Sequence, residues 1–187
     1  MEFTNDWFCI NTPMWASKIH PLLPCGPLRL MEIGSYEGRS AVWMAEHWLH
    51  HPKSKLICVD VWSQHAPEHV TDWDMVYQRF QSNIKATGRY DQIQVIRLPS
   101  HKVFNELALP LDFIYIDGSH NAADVMYDAL AAMHVINLGG IIAFDDYTWT
   151  GNVHMPPGPA IDFFLKLCED RIKVIEAGRQ VVIQRIK

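Results

Sequence analysis

Leu28-Arg29-Leu30-Met31-Glu32-Ile33-Gly34-Ser35-Tyr36-Glu37-Gly38-Arg39-Ser40-Ala41-Val42-Trp43-Met44-Ala45-Glu46-His47-Trp48 reads as a strand, a glycine turn and a helix in immediate succession. Leu28 to Ile33 is a short apolar run of buried-strand length. Ala41, Met44, Ala45 and Trp48 then recur at helical spacing. The same alternation continues outward. Strands are expected at Leu56–Val61, Ile93–Leu98, Leu111–Ile116 and Ile141–Phe144, with helices at Trp73–Ala86, Ser100–Leu107, Asn121–Val135 and Ala160–Cys168. Asn121 is a suitable N-cap for its helix, and Gly139-Gly140 is the expected stop. Two last strands, Ile172–Ala177 and Gln180–Ile186, are joined through Gly178-Arg179.

Strands alternating with helices imply a parallel sheet covered on both faces. The fold expected is α/β, a Rossmann-like doubly wound sheet of seven strands, mostly parallel, with an antiparallel C-terminal edge pair. Residues 1–27 are expected to form an N-terminal arm or helix and residues 28–187 the main domain.

Composition narrows the class further. The 187 residues suit one domain, and 49% hydrophobic with 20% charged residues is globular. A net charge of −5 offers no basic field for a nucleic acid. No apolar run nears the roughly 18 residues of a membrane span, and the acidic start at Met1 to Asp6 is unlike a secretory signal. Cys9, Cys25, Cys58 and Cys168 are scattered with no C-x-x-C pair, as expected of reduced thiols in the cytoplasm.

In such sheets ligands bind beyond the carboxyl ends of the strands. Here those ends carry Glu32 to Ser40, Asp60, Leu98-Pro99-Ser100, Asp117-Gly118-Ser119-His120 and Asp145-Asp146. The first turn spaces its glycines as E-x-G-x-x-x-G. A nicotinamide-dependent oxidoreductase should show G-x-G-x-x-G instead. Gly34 permits a tight turn and Gly38 permits a ligand to approach the helix start, although both also suit an ordinary β-to-α turn. Asp60, 26 residues beyond Gly34, can accept both hydroxyls of a ribose or simply form a turn.

These segments, with Cys58-Val59-Asp60, Tyr115 to His120 and Gly139 to Tyr147, resemble the class I S-adenosylmethionine-dependent methyltransferases. More narrowly they resemble the metal-dependent macrolide and aminocoumarin sugar O-methyltransferases. The resemblance runs from about Leu28 to Trp149. It implies S-adenosyl-L-methionine as cofactor, S-adenosyl-L-homocysteine as its product, and a site on the loop of Gly34, Ser35 and Gly38. Ser40 would bind the cofactor carboxylate and Glu32 would hold the loop or meet the amino group. Asp60 would take the ribose, Val61 and Trp62 would flank the adenine, and Ser100 would meet its edge. Trp62 reads equally as a core aromatic.

Asp145 and Asp146 lie 28 and 29 residues after Asp117, at the ends of strands expected to be neighbours. Strands sit about 4.8 Å apart, so three carboxylates would repel unless a cation or protons offset them. A hard divalent ion such as Mg²⁺ suits oxygen ligands, and Asp117, Asp145 and Asp146 are its expected set. The alternative, in which Asp145 or Asp146 caps a turn and no metal binds, stays open. His120 faces the same rim and is the expected general base, with Asp117 as its catalytic and cofactor-side companion. A lysine occupies this position in catechol-methylating relatives, so the histidine favours a sugar or glycan hydroxyl over a catechol or phenol. A catalytically inactive cofactor-binding module is the remaining alternative. The acceptor site is expected to be open, or completed by a second subunit in a homodimer.

Overall fold

The structure is a computed structural model, and it describes residues 1–63, 72–107, 110–151 and 154–187. After a 3-10 turn at Cys9–Asn11 come α1 (Thr12–Met14), a π turn (Trp15–Ile19) and a second 3-10 turn (His20–Leu22). The main body then runs β1 (Arg29–Ile33), α2 (Arg39–Trp48), β2 (Lys55–Val59), α3 (Trp73–Ala86), β3 (Ile93–Ile96) and α4 (Ser100–Val103). It continues with β4 (Leu111–Ile116), α5 (Ala122–Val135), β5 (Ile136–Phe144), α6 (Pro157–Leu167), β6 (Ile172–Ala177) and β7 (Val181–Arg185).

The seven strands form one sheet in the order β3-β2-β1-β4-β5-β7-β6. β1 to β5 pair in parallel, and β7 inserts antiparallel to both β5 and β6. The expected doubly wound sheet is therefore observed, with its order reversing between β1 and β4.

Side-chain alternation along the strands sorts the core into two layers. Leu30, Leu56, Cys58, Phe113, Tyr115, Ile141 and Ala143 face α2, α3 and the N-terminal turns. Met31, Ile33, Val59, Ile114, Ile116, Ile142 and Phe144 face α5 and α6. The N-terminal turns supply one side of the first layer. Trp15, fully buried, stacks on Trp48 with ring centroids 5.3 Å apart and meets Phe113 and Tyr115 edge-on.

Two expected elements differ. The helix expected to reach Leu107 is a single α turn followed by a 3-10 turn at Phe104–Glu106. Gly139-Gly140 does not stop α5, which ends at Val135 as Ile136 enters extended backbone. The glycines lie inside β5. Gly139 takes φ +82°, and the register with β4 jumps from Leu111↔Ile136 to Phe113↔Ile141. The pair makes a bulge, for which the left-handed backbone of Gly139 is the requirement. The histidines at i, i+4 spacing, His65 and His69, with Pro67 between them arguing against a helix, fall outside the described residues. No described helix is long and apolar enough to cross a membrane.

Candidate functional site

Backbone hydrogen bonds continue past the ends of the central strands and align their exits along one rim. Gly34 N donates to Val59 O (2.8 Å), Asp60 N to Ile96 O (3.2 Å), Asp117 N to Ile33 O (2.8 Å) and Asp145 N to Ile116 O (3.0 Å). Asp60, the Gly34 loop, Asp117 and Asp145-Asp146 therefore stand in that order across the sheet. Three non-glycine residues in the described chain have positive φ: Tyr36 (47°), Trp62 (41°) and Asp146 (56°). All three sit in these exits. Backbone held in a sparsely populated region clusters at functional sites, where the surroundings impose it.

The first loop is fastened by Asp60. Its Oδ2 accepts from Ser35 N and Tyr36 N, both at 2.9 Å, and its Oδ1 accepts from Trp62 N at 2.8 Å. Both loop glycines have left-handed backbone. A side chain at Gly34 would meet the Asp117 carbonyl oxygen at 2.0 Å, and one at Gly38 would meet the Phe80 ring at 2.9 Å. Phe80 thus packs against the Gly38 backbone on the side where a Cβ would stand. Glu37, one residue earlier, is buried and ties the N-terminus to the loop. It accepts from Thr4 N and Thr4 Oγ1 at 2.6 Å each and pairs with Arg79.

Glu32 lies under this loop with no solvent exposure. Ser40 Oγ donates to its Oε2 at 2.7 Å, so the hydroxyl expected on the cofactor carboxylate is engaged with Glu32 here. Burial, opposed by the nearby Ser35 and Ser40 hydroxyls, raises the Glu32 pKa to about 7. Glu32 Oε1 and Ser35 Oγ are buried, and neither has a hydrogen bond of good geometry among the described residues. Val61 is half-buried at the rim. Trp62 is fully buried between Tyr77 and Phe80 and donates from Nε1 to Tyr36 O at 2.8 Å. It is a core aromatic with no open face for an adenine. Ser100 opens α4 and its hydroxyl faces Asp128, which burial raises to about 6.

The acids do not group as expected. Asp117, His120 and Asp146 each offer a ligand atom within 4.8 Å of the others. Asp145 is directed elsewhere. Its Oδ2 takes hydrogen bonds from the Tyr115 hydroxyl and from Gln180 Nε2 (3.0 Å), and its Oδ1 takes one from Asp146 N (2.7 Å). The imidazole thus stands where the third carboxylate was expected, because two buried donors draw Asp145 inward. His120 Nε2 lies 2.8 Å from Asp146 Oδ2, and its ring packs on Trp149 with centroids 4.5 Å apart.

Burial, then the charges of Asp145 and Asp146, push Asp117 well above the usual carboxylate range. Burial chiefly raises Asp145 as well. Among the described residues no lysine or arginine forms an ion pair with any of the three acids. Negative charge here is neutralised by protons or by an added cation.

A cavity of about 440 Å³ opens beside the cluster, lined by Asp145, Asp146, Thr148, Trp149, Thr150, Gly151 and Arg179. Gly151 lies so close to Trp149 that a side chain there would meet the indole at 2.0 Å. The ring is held between His120 and the Gly151 backbone, as a wall to this cavity. Sequence reasoning missed Tyr115, Gln180 and Glu37. Tyr115 and Glu37 lie inside the motif segments but read there as strand and loop positions, and Gln180 only precedes β7, so nothing in the sequence gives them a role at the site.

A family model described as a methyltransferase domain matches residues 31–147. No curated protein sequence matches the chain. Among solved structures, the O-methyltransferase from Bacillus cereus in complex with SAH superposes with a TM-score of 0.70 at 19% identity, over 99% of this chain and 84% of that one. The Podospora anserina methyltransferase PaMTH1, SAH-bound, gives 0.64 at 21% over 86% and 72%. A putative rRNA methylase from Clostridium thermocellum gives 0.73 at 14% over 100% and 99%. At these identities the likeness concerns the fold, which carries more than one acceptor class. The family match spans the strand exits from Glu32 to Asp146, so the resemblance to class I S-adenosylmethionine-dependent methyltransferases holds, and the chain belongs to the methyltransferase-domain family.

Proposed function

We propose that the protein is an S-adenosylmethionine-dependent O-methyltransferase, assisted by a divalent cation, acting on a hydroxyl of a small acceptor such as a sugar or glycan unit. The observation that carries this reading is the convergence of Asp117, His120 and Asp146 one strand away from the Gly34 loop. The residues fit both added groups. Glu32 Oε1 and Ser35 Oγ are buried side by side under the loop with no hydrogen bond of good geometry among the described residues, a setting that an ammonium group can improve. Asp117 and Asp146, two carboxylates with no lysine or arginine paired to them among the described residues, suit a hard cation such as Mg²⁺ or Mn²⁺, with His120 beside them free to act as a base.

Bound at these places, the cofactor supplies an electrophilic methyl group and the cation lowers the proton affinity of an acceptor hydroxyl. The chain supplies position and proton transfer. With Nε2–H directed to Asp146, His120 keeps Nδ1 as its acceptor and can remove the hydroxyl proton. Asp146 fixes that tautomer and steadies the imidazolium that forms. Trp149 offers an apolar face against which an acceptor ring can lie, and Thr148, Thr150 and Arg179 give the cavity a polar rim. Asp60 keeps Ser35 and Tyr36 in place beneath the donor.

The −5 charge disfavours a nucleic-acid acceptor. Four cysteines without a disulfide suit a cytoplasmic enzyme. Calorimetry with S-adenosylmethionine, then transfer of labelled methyl to a panel of sugars and catechols with and without EDTA, tests the reading. Cofactor binding with chelator-sensitive methylation of a sugar is expected. Absence of cofactor binding overturns the whole proposal, and EDTA-insensitive turnover removes the cation from it.

A further inference from the structure

Beneath the acids runs a chain of buried side chains that none of these roles uses. Trp15 Nε1–H donates to Gln180 Oε1 at 2.7 Å. Gln180 Nε2 donates to Asp145 Oδ2 at 3.0 Å and to the Tyr115 hydroxyl oxygen at 3.3 Å. The Tyr115 hydroxyl is 3.1 Å from Asp117 Oδ2 and also contacts Asp145 Oδ2. Trp15 and Tyr115 have no solvent exposure and Gln180 has 2%. Water therefore does not replace these bonds.

The chemistry of the partners fixes the direction of the chain. An indole N–H only donates, so the end of the Gln180 amide that faces Trp15 is its oxygen. The amide nitrogen must then face the acids, and the alternative flip would set donor against donor at Trp15. A tyrosine hydroxyl has a single proton to give. By accepting from Gln180 it keeps that proton for the carboxylates. Asp145, held by these two donors, in turn accepts from Asp146 N at 2.7 Å, where the backbone is held at φ +56°. That bond stabilises the turn carrying the Asp146 side chain.

We propose that Gln180, oriented by Trp15, is a positioning residue: with Tyr115 it anchors Asp145 as a brace rather than a ligand, and so holds Asp117 and Asp146 in convergence on one cation beside His120. This rests on the metal-assisted reading above. It also gives the N-terminal turns a function, because the segment carrying Trp15 sets the orientation of an amide one side chain away from the site.

The test is Mn²⁺ affinity by electron paramagnetic resonance, with S-adenosylhomocysteine affinity by calorimetry as the control. Neighbours that orient metal ligands are worth about 10- to 100-fold in metal affinity. Gln180→Met keeps the side-chain volume and removes all three hydrogen bonds of the amide. It should weaken Mn²⁺ about tenfold while leaving S-adenosylhomocysteine binding within twofold. Trp15→Phe, which keeps ring packing and loses the donor, should weaken Mn²⁺ by a smaller factor. General loosening of the fold would weaken both ligands together and would overturn the positioning role. Unchanged Mn²⁺ affinity in Gln180→Met sinks the brace and leaves the metal reading intact. A wild-type protein that binds no Mn²⁺ overturns both. If Gln180→Met does not fold, Tyr115→Phe decides by the same two measurements.

Discussion

Single residues at the rim carry constraints that can be weighed. Gly34 combines φ +86° with a Cβ position 2.0 Å from the Asp117 carbonyl oxygen. The obstacle is backbone on the neighbouring strand exit, so a side chain cannot be accommodated by rotamer changes. Left-handed backbone alone costs a non-glycine residue about 1–2 kcal/mol, and the clash adds to it. Gly34→Ala should therefore lose at least about 3 kcal/mol in urea unfolding, and S-adenosylmethionine binding with it. Glu32 makes a second prediction. Its pKa is about 7 when folded against an ordinary 4.5, because burial disfavours the charge. The folded state then holds a proton that the unfolded chain has released. Stability from this group is fullest below pH 4.5 and falls as pH rises towards 7. At 1.36 kcal/mol per pKa unit, the whole effect is about 3 kcal/mol. Glu32→Gln should flatten the stability profile over that interval in the cofactor-free protein, and an unchanged slope would refute it.

Among the elements, α5 positions the catalytic face. Asn121 Oδ1 accepts from Ala123 N at 2.9 Å and caps the helix immediately after His120. Replacing an N-cap by alanine costs about 1 kcal/mol. Asn121→Ala should lower the melting temperature by a few degrees, roughly 2–4 °C on that cost for a domain of this size. It should also weaken Mn²⁺, since fraying reaches His120 and its 2.8 Å contact with Asp146; a lower melting temperature with unaltered metal affinity would separate the cap from the site. The cap was legible in the sequence because it depends on residue type at one local position. The bulge in β5 was not. A glycine pair after an apolar helix reads the same as a helix stop or a strand irregularity, and the pairing of Phe113 with Ile141 decides between them.

At the scale of the molecule, the N-terminal turns are part of the core. Phe8, Trp15, Ile19 and Leu23 are buried with the aromatic residues of α2 and β4. Thr4 and Asp6 pair with Glu37 and Arg39 at the first loop. Large aromatic-to-alanine changes in a core cost about 3–5 kcal/mol. Trp15→Ala should lose stability on that scale in urea and expose apolar surface to a dye such as ANS. A loss below about 1 kcal/mol would mean that the segment packs only loosely.

The doubly wound sheet, its seven strands and the row of acids at the strand exits followed from the sequence. Hydrophobic periodicity and glycine placement are local properties, and a parallel sheet brings its strand ends to one rim wherever the helices go. Which acids face one another did not follow. Asp145 and Asp146 are adjacent in sequence and chemically alike, and only the buried Tyr115 and Gln180 distinguish them. Those two donors, and the indole that orients one of them, come from β4, the turn before β7 and the N-terminal segment. Their meeting is long-range packing, which no spacing along the chain encodes.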